Sequence, residues 1–325
     1  MFKHCNRILS TQICGYRTMA AKYLKSLTRE ELKDFINSFD VVLSDCDGVL
    51  WEEKDAIPGS PETVKELKAL GKRFFYITNN NSKTRSEFVE KCRHLNYDAT
   101  LDEVVCTSFL AAMYLKEKGF DKKVYLIGND GIAKELEAVG IEHIGNGPDV
   151  IEGEILDEIL KFHPDPDVGA VVVGLDKHFS YLKIMKAMTY LGDPNVQFVG
   201  TNCDIHIPSP NCNRYPGSGC FIKSIEIASK RKAVMLGKPE RYISEYIINK
   251  YNLLPSRTLM IGDNCNTDIL LGKRCGFTTL LVLSGVTTKA DVENFKSSPS
   301  EDDANVIPDF YTEQLSDVAQ LLSAP

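Results

Sequence analysis

The sequence of 325 residues contains no C-x-x-C pair, and its ten cysteines are scattered along the chain. A disulfide framework is therefore not expected, and the thiols are predicted to be reduced. No apolar run approaches the about 20 residues that a transmembrane helix needs, so no membrane partner is expected. A formal net charge of −7 argues against non-specific affinity for nucleic acid.

Acidic residues are absent from the first 29 positions, where lysine and arginine recur. This composition is typical of a mitochondrial presequence and equally of a basic tail. We therefore assign residues 1–26 to a tail or targeting segment, and expect a cytoplasmic protein with a mitochondrial one as the alternative. Folded structure is predicted to begin near Leu27, where Thr28 and Glu31 have the spacing of a capping box.

The most informative stretch is 41–51, in which an apolar run ends in Asp45 and Asp47 and Gly48 follows at once. The run indicates a buried parallel strand, and the glycine allows the backbone to turn away. Successive strand residues alternate faces, so both carboxylates are predicted to point the same way beyond the strand end. Unless these are ordinary surface acids, their repulsion requires a compensating group.

Three further strand ends carry polar side chains. A helix over 62–70 and a strand over 72–77 form a βαβ unit with the first strand, which brings Thr78 to the same sheet edge as Asp45. The strands predicted over 233–237 and 258–262 end at Lys238 and Asp263. Open parallel sheets bind ligands at this edge, although a polar turn or a helix-start lysine would explain each residue alone.

The four segments resemble the motifs of the haloacid dehalogenase-like hydrolases. The match includes Asp45 to Trp51, Thr78-Asn79-Asn80, Lys238-Pro239, and Asp263 with Asp268 five positions later, and it covers nearly all of the chain after the first 36 residues. The resemblance implies that Asp45 attacks phosphorus to form an aspartyl-phosphate while Asp47 transfers the proton.

The same resemblance implies the remaining roles. Thr78 would hydrogen-bond the phosphoryl oxygen, Asn79 and Asn80 would line the pocket, and Lys238 would screen the nucleophile and the phosphate. Asp45 and Asp263 would ligate a metal directly and Asp268 from the second shell, with Asp47 contributing its backbone carbonyl. Carboxylates crowded at one edge without histidine or cysteine favour Mg²⁺ over zinc.

The long interval between Thr78 and Lys238 alternates strands and helices, which predicts a second, smaller α/β domain. The fold is therefore predicted to be α/β, with a Rossmann-like doubly wound parallel-sheet core and an inserted α/β cap. We assign residues 27–116 and 232–325 to the core and 117–231 to the cap. A cap after the second motif resembles the p-nitrophenylphosphatase, phosphoglycolate phosphatase and pyridoxal phosphatase branch, whose members often pair through their caps.

In that branch the loop starting at Asp204 overlies the active site, so Asp204 and His206 are candidate substrate-binding residues. Pyridoxal phosphatases carry a histidine immediately before the loop proline, where this sequence has Ile207. The departure disfavours pyridoxal phosphate and favours phosphoglycolate or another small phosphate ester. His206 in a surface hydrogen bond remains an alternative.

These inferences converge on a Mg²⁺-dependent phosphatase that hydrolyses small phosphate monoesters, such as phosphoglycolate or p-nitrophenyl phosphate. Its expected partners are a small phosphorylated metabolite and, in a homodimer, a second copy of the chain. A pyridoxal phosphate or phosphoprotein phosphatase of the same branch is the alternative. A phosphotransferase or mutase, and a relative that binds phosphometabolites without catalysis, are further alternatives.

Overall fold

The computed structural model describes residues 21–207, 215–298 and 300–323. Two parallel sheets dominate these residues, and helices connect their strands. The helices are α1 (Arg29–Asn37), α2 (Ser60–Ala69), α3 (Arg85–His94), α4 (Thr107–Glu117), α5 (Asp130–Ala138), α6 (Ile155–Lys161), α7 (Tyr181–Leu191), α8 (Ser218–Ser229), α9 (Tyr242–Tyr251), α10 (Leu270–Cys275), α11 (Lys289–Ser297), α12 (Glu301–Ala304) and α13 (Ser316–Ser323). The strands are β1 (Lys22–Tyr23), β2 (Val41–Ser44), β3 (Trp51–Glu52), β4 (Asp55–Ala56), β5 (Arg73–Thr78), β6 (Val104–Cys106), β7 (Lys123–Ile127), β8 (His143–Ile144), β9 (Val168–Val173), β10 (Gln197–Gly200), β11 (His206–Ile207), β12 (Tyr215–Pro216), β13 (Val234–Met235), β14 (Thr258–Gly262), β15 (Thr278–Val282) and β16 (Phe310–Thr312).

The larger sheet has seven strands in the order β1-β16-β15-β14-β2-β5-β6, and every neighbouring pair is parallel. The strand β2 is fully buried and lies between β14 and β5, in register with both. The chain segments that follow these three strands carry Asp45, Asp263 and Thr78. The sheet order thus brings three of the predicted motifs to adjacent positions at one edge, and the predicted α/β fold is confirmed.

The smaller sheet has five parallel strands in the order β13-β10-β9-β7-β8. It includes β13, which was predicted to be a buried strand of the core. Instead β13 pairs with β10, and its Val234 is 45% exposed. A strand of two residues carries too little hydrophobic pattern to indicate which sheet it joins. The proposed division at residue 231 therefore needs to shift so that β13 stays with the insertion.

The helix α4 links the two sheets, and its side chains are buried around most of its circumference. A helix that is apolar on all sides has to be covered on all sides. The main hydrophobic cluster accordingly runs from β2 through α4 to Leu136 of α5 and Val172 of β9, so it includes residues of both sheets. A second cluster covers the other face of the smaller sheet. The insertion therefore shares a continuous core with the larger sheet.

Ordered structure begins earlier than the predicted residue 27, because β1 pairs with β16 and Leu24 is fully buried. Residues 1–20 of the predicted N-terminal tail lie outside the described residues. The predicted capping box is present: Thr28 Oγ1 accepts from the N–H of Glu31, whose carboxylate accepts from the N–H of Thr28. Among the described residues, no helix has the length and apolar character needed to cross a bilayer.

Candidate active site

Lys238 occupies the centre of the site, at the sheet edge where β2 and β14 end. Its Nζ lies 2.6 Å from Asp45 Oδ1 and 2.8 Å from Asp268 Oδ1, and its side chain is only 2% exposed. Burial alone would lower the pKa of this lysine, but the carboxylates of Asp268 and Asp45 hold it above the ordinary value. Lys238 is therefore a fixed ammonium between two acidic groups.

Asp45, Asp263 and Asp268 form an acidic cluster in which each side chain offers an oxygen within 4.8 Å of the others. Burial, opposed by Lys238 and reinforced by the other two carboxylates, raises the pKa of Asp45 well above its usual value. Burial and the charge of Asp268 raise the pKa of Asp263 to about 7. Both shifts have the direction expected for carboxylates that lack a sufficient positive partner.

Backbone groups fix the cluster in place. The N–H of Asp45 donates to the carbonyl of Ile261 on β14 at 2.9 Å. Asp263 Oδ2 accepts from the N–H of Val286 at 2.8 Å. Asp268 follows β14 in a single π-helical turn, Cys265–Ile269, and its Oδ2 accepts from the N–H of Asn264 at 3.1 Å. Such turns are frequent at functional sites.

Three glycines leave room for these carboxylates. A Cβ at Gly285 would lie 1.9 Å from Asp263 Oδ2, and one at Gly48 would lie 2.4 Å from the same atom. A Cβ at Gly262 would lie 2.4 Å from Asp268 Oδ2. Backbone atoms of these glycines therefore lie so close to the carboxylates of Asp263 and Asp268 that no Cβ would fit between them. The contact of Gly285 with Asp263 depends on tertiary structure, because the two residues follow different strands.

Asp47 lies outside this cluster, contrary to the prediction that its carboxylate shares the direction of Asp45. The strand β2 ends at Ser44, so the alternation of strand side chains does not extend to Asp47. Its Oδ1 accepts from Trp51 Nε1 at 2.8 Å and lies 3.6 Å from Lys91 Nζ. Lys91 also lines a cleft of about 520 Å³, and half of the Asp47 side chain is exposed.

The three residues at the end of β5 and directly after it make different contacts. Thr78 is buried, and its Oγ1 accepts from the N–H of Asn80 at 3.1 Å, which leaves the hydroxyl hydrogen to donate. Asn80 Oδ1 accepts from the N–H and hydroxyl of Ser82, as in a polar turn. Asn79 contacts the backbone of Lys238 and the carboxylate of Asp204.

The loop predicted to overlie the site begins beside it. Asp204 is partly buried, and burial raises its pKa, although the amide of Asn79 and the charge of Lys238 act in the opposite direction. His206 lies on β11 and is exposed. Of the residues predicted to form the site, Asp47 and His206 have no described side-chain contact with the others.

Sequence reasoning missed Trp51, Lys91 and Gly285 as parts of the site. Trp51 stands inside the first motif, and an indole N–H four residues after Asp47 is a signal that could have been used. Lys91 lies on α3, and no local pattern distinguishes it from the many other lysines of the chain.

Comparison with known proteins agrees with this geometry. The profile of the haloacid dehalogenase-like hydrolase family matches residues 42–142, and a HAD-hydrolase-like profile matches residues 235–317. Glycerol-3-phosphate phosphatase from Rattus norvegicus is 41% identical over 304 residues, which are 91% of this chain and 95% of the relative. Chloroplastic phosphoglycolate phosphatase 1A from Arabidopsis thaliana is 37% identical over 305 residues, 93% of this chain and 81% of the relative.

Among solved structures, 4-nitrophenylphosphatase from Thermotoga maritima superimposes with a TM-score of 0.72 at 28% identity, covering 88% of this chain and 98% of the other. The chain therefore belongs to the haloacid dehalogenase-like hydrolase family. These similarities confirm the class of enzyme predicted from the sequence, a phosphoric monoester hydrolase of that family.

Proposed function

We propose that this phosphatase uses Asp45 as its nucleophile and acts on phosphate esters of short hydroxy compounds. The observation that carries the proposal is the position of Lys238 Nζ between Asp45 and Asp268, with Asp263 close by. A nucleophilic carboxylate beside a fixed ammonium is suited to attack on an anionic phosphoryl group, since the cation offsets the charge repulsion.

In the first proposed step, an Asp45 carboxylate oxygen bonds to phosphorus and the bond from phosphorus to the ester oxygen breaks. The leaving oxygen takes a proton from Asp47. In the second step Asp47 accepts a proton from water, whose oxygen attacks phosphorus and releases Asp45 and inorganic phosphate. Lys238 and the hydroxyl of Thr78 stabilise the charge on the phosphoryl oxygens in both steps.

The acidic cluster fits a divalent cation. The carboxylates of Asp45, Asp263 and Asp268 carry three negative charges when ionised, and Lys238 offsets only one of them. All donors are oxygens, which suits Mg²⁺. We propose Asp45, Asp263 and the backbone carbonyl of Asp47 as direct ligands, with Asp268 in the second shell. When bound, Mg²⁺ would neutralise charge on the transferring phosphoryl group.

The proposed role of Asp47 agrees with its surroundings. An acid and base for the leaving group needs access to both substrate and water, and the Asp47 side chain is half exposed. Trp51 and Lys91 restrict its orientation from one side. This arrangement separates Asp47 from the buried cluster, where a carboxylate would be occupied by the cations.

The nucleophile assignment is tested by Asp45→Asn. The amide cannot form an acyl phosphate, so turnover of 4-nitrophenyl phosphate is expected to fall on the order of 10⁴-fold or more. The matched control is Asp121→Asn, which makes the same change at an exposed aspartate before β7. Rapid quenching of a single turnover, followed by mass spectrometry of the protein for an acyl phosphate on Asp45, provides a second measurement. Activity of Asp45→Asn above trace levels would contradict the assignment.

For the substrate, the similarity to glycerol-3-phosphate and phosphoglycolate phosphatases supports a small phosphorylated metabolite. Ile207, in place of the histidine of pyridoxal phosphatases, supports the same choice. The test compares kcat/KM for glycerol phosphate, phosphoglycolate, 4-nitrophenyl phosphate, pyridoxal phosphate and a phosphotyrosyl peptide. We expect the first two to be preferred to the last two. Preference for pyridoxal phosphate would refute the inference from Ile207, and transfer to an added acceptor alcohol would indicate a phosphotransferase.

Pairing of two chains through the insertion is a further proposal. The helix α6 of the insertion has no buried residue, and Leu156 and Leu160 are more than half exposed. An apolar face of this kind is a candidate contact for a second copy. Sedimentation of the wild type and of Leu156→Glu checks the proposal, since the substitution is expected to yield monomers.

For the compartment, we propose the cytoplasm, with the mitochondrion as the alternative suggested by the basic N-terminal sequence. The described cysteines are all free thiols, as a reducing compartment requires. Imaging of a C-terminal fluorescent fusion with and without residues 1–18 distinguishes the two compartments.

A further inference from the structure

The side-chain amide of Asn79 is fully used by protein groups. Its Oδ1 accepts from the N–H of Lys238 at 2.8 Å, and its Nδ2 donates to the carbonyl of Lys238 at 3.0 Å. The same Nδ2 donates to the carboxylate of Asp204, with its oxygens at 3.1 and 3.2 Å. An asparagine amide has only two hydrogens, so both are occupied. Asn79 therefore has no donor left for a phosphate, although its sequence position had suggested a binding role.

One side chain thus holds both backbone polar groups of Lys238. The adjoining backbone is equally constrained: the N–H of Gly237 donates to the carbonyl of Thr201 at 2.8 Å. A Cβ at Gly237 would lie 2.5 Å from Asn79 Oδ1, so only glycine lets the two segments approach. Because the backbone of Lys238 is fixed here, its Nζ reaches the space between Asp45 and Asp268.

Asn79 also contacts Asp204, at the start of the loop that was predicted to overlie the site. Asp204 is held at the root of this loop, since its N–H donates to Asn202 Oδ1, and Asn202 Nδ2 donates to the carbonyl of Asn79 at 2.7 Å. A Cβ at Gly217 would lie 2.2 Å from the Asp204 carbonyl, which shows how closely the start of α8 packs on the root. Beyond the root, His206 is exposed.

We propose that Asn79 is a positioning residue that makes the placement of Lys238 depend on the docking of Asp204. The proposal rests on the function proposed above, because it requires Lys238 to act on the phosphoryl group. A leaving group that displaces the loop pulls Asp204 from Asn79 and loosens the hold on the Lys238 backbone. The fit of the leaving group then affects kcat as well as the affinity for the substrate.

A simpler structural role is already filled by a neighbouring residue. Asn81 Nδ2 donates to the hydroxyls of Thr201 and Ser218, and its Oδ1 accepts from the N–H of Leu175. Asn81 thereby ties the end of β5 to the smaller sheet without contacting Lys238. The bonds of Asn79 differ because they end on the lysine that lies between Asp45 and Asp268.

A double-mutant cycle of Asn79→Ala and Asp204→Ala tests the coupling, with kcat and KM measured for 4-nitrophenyl phosphate and glycerol phosphate. Misplacement by about 1 Å costs roughly 10²-fold in rate, so Asn79→Ala is expected to lower kcat by about that factor with little change in KM. Asp204→Ala should have a smaller effect, and the double variant should be no slower than Asn79→Ala. Asn146→Ala, which removes an exposed amide-carboxylate bond to Asp130, is the matched control.

Two results would overturn the proposal. If the effects of the single variants multiply, the two residues act independently. If Asn79→Ala raises KM while kcat is unchanged, Asn79 binds substrate directly. Thermal unfolding of each variant shows whether lost activity reflects lost fold.

A reciprocal exchange provides a second test that a loss of folding cannot imitate. Asn79→Asp places a carboxylate against that of Asp204 and should reduce kcat at least as much as Asn79→Ala. Adding Asp204→Asn removes the repulsion and restores a hydrogen bond, so the double variant should recover at least about tenfold. Absence of recovery would refute the coupling. Failure of the proposed function would appear separately, as activity retained in Asp45→Asn.

Discussion

Two regions of the protein each bury a lysine, and the comparison between these lysines separates the proposed catalytic arrangement from a structural one. Lys183 of α7 is completely buried in an ion pair with Asp176, which is equally buried. Lys238 is also buried, but it faces both Asp45 and Asp268, with Asp263 adjacent. The charges of Lys183 and Asp176 offset each other, so this pair needs no further charged partner. The second group has excess negative charge, which a divalent cation can neutralise.

The largest effect is expected from removing the two lysines in parallel. Lys238→Met should lower kcat by roughly 10²–10³-fold, because a preorganised cation is lost from the phosphoryl site. Lys183→Met should instead lower the free energy of unfolding by about 3–5 kcal/mol, since Asp176 stays buried without a partner, while the folded protein keeps its kcat. Enzyme kinetics and chemical denaturation measure the two effects. Equal losses of kcat in Lys238→Met and Lys183→Met would show that the two lysines do not differ in role.

A smaller effect is expected from the glycines around the acidic cluster. Gly285→Ala would bring a methyl group against Asp263 Oδ2 and displace that carboxylate. Changes to groups that orient metal ligands typically cost about 10–100-fold in metal affinity. The Mg²⁺ concentration needed for half-maximal thermal stabilisation should rise by about this factor. Gly153→Ala is the control, because its Cβ would have no neighbour within 4 Å. An unchanged Mg²⁺ requirement in Gly285→Ala would exclude Asp263 as a ligand.

The smallest effect is expected at the exposed loop. His206→Ala should change KM for glycerol phosphate by at most about fivefold, the scale of exposed polar contacts, and leave kcat unchanged. His163→Ala, at an exposed site elsewhere in the insertion, should leave both parameters unchanged. A large loss of kcat in His206→Ala would show that the loop closes onto the reacting atoms.

The strands of the larger sheet could be predicted from the sequence because the patterns that indicate them are local. Apolar runs ending in Asp45, Thr78 and Asp263 indicate parallel strands with polar ends, and the general behaviour of parallel sheets then brings those ends together. Lys238 was found in the same way, by its position after an apolar run, although the strand before it belongs to the other sheet. The position of Lys238 directly after a strand was therefore enough to identify it as a candidate, regardless of which sheet that strand joins.

The remaining errors involve contacts between distant segments. The carboxylate of Asp47 is oriented by Trp51 and by Lys91 of α3, and the strand pattern around Asp47 contains no information about that helix. Asn79 was assigned to the pocket through the resemblance of Thr78-Asn79-Asn80 to the second motif of the family, which does not indicate what its side chain contacts. Its actual partners, Lys238 and Asp204, lie 159 and 125 positions away. No local motif reports such a pairing.

The burial of α4 limits how freely the two parts of this enzyme can be recombined. Its apolar surface is covered partly by the larger sheet and partly by elements of the insertion. A chimera that exchanges the insertion with that of a relative at residue 117 would leave this helix facing a surface that did not evolve with it. A chimera meant to exchange substrate specificity between relatives therefore has to include α4 together with α5, or replace the exposed loop alone.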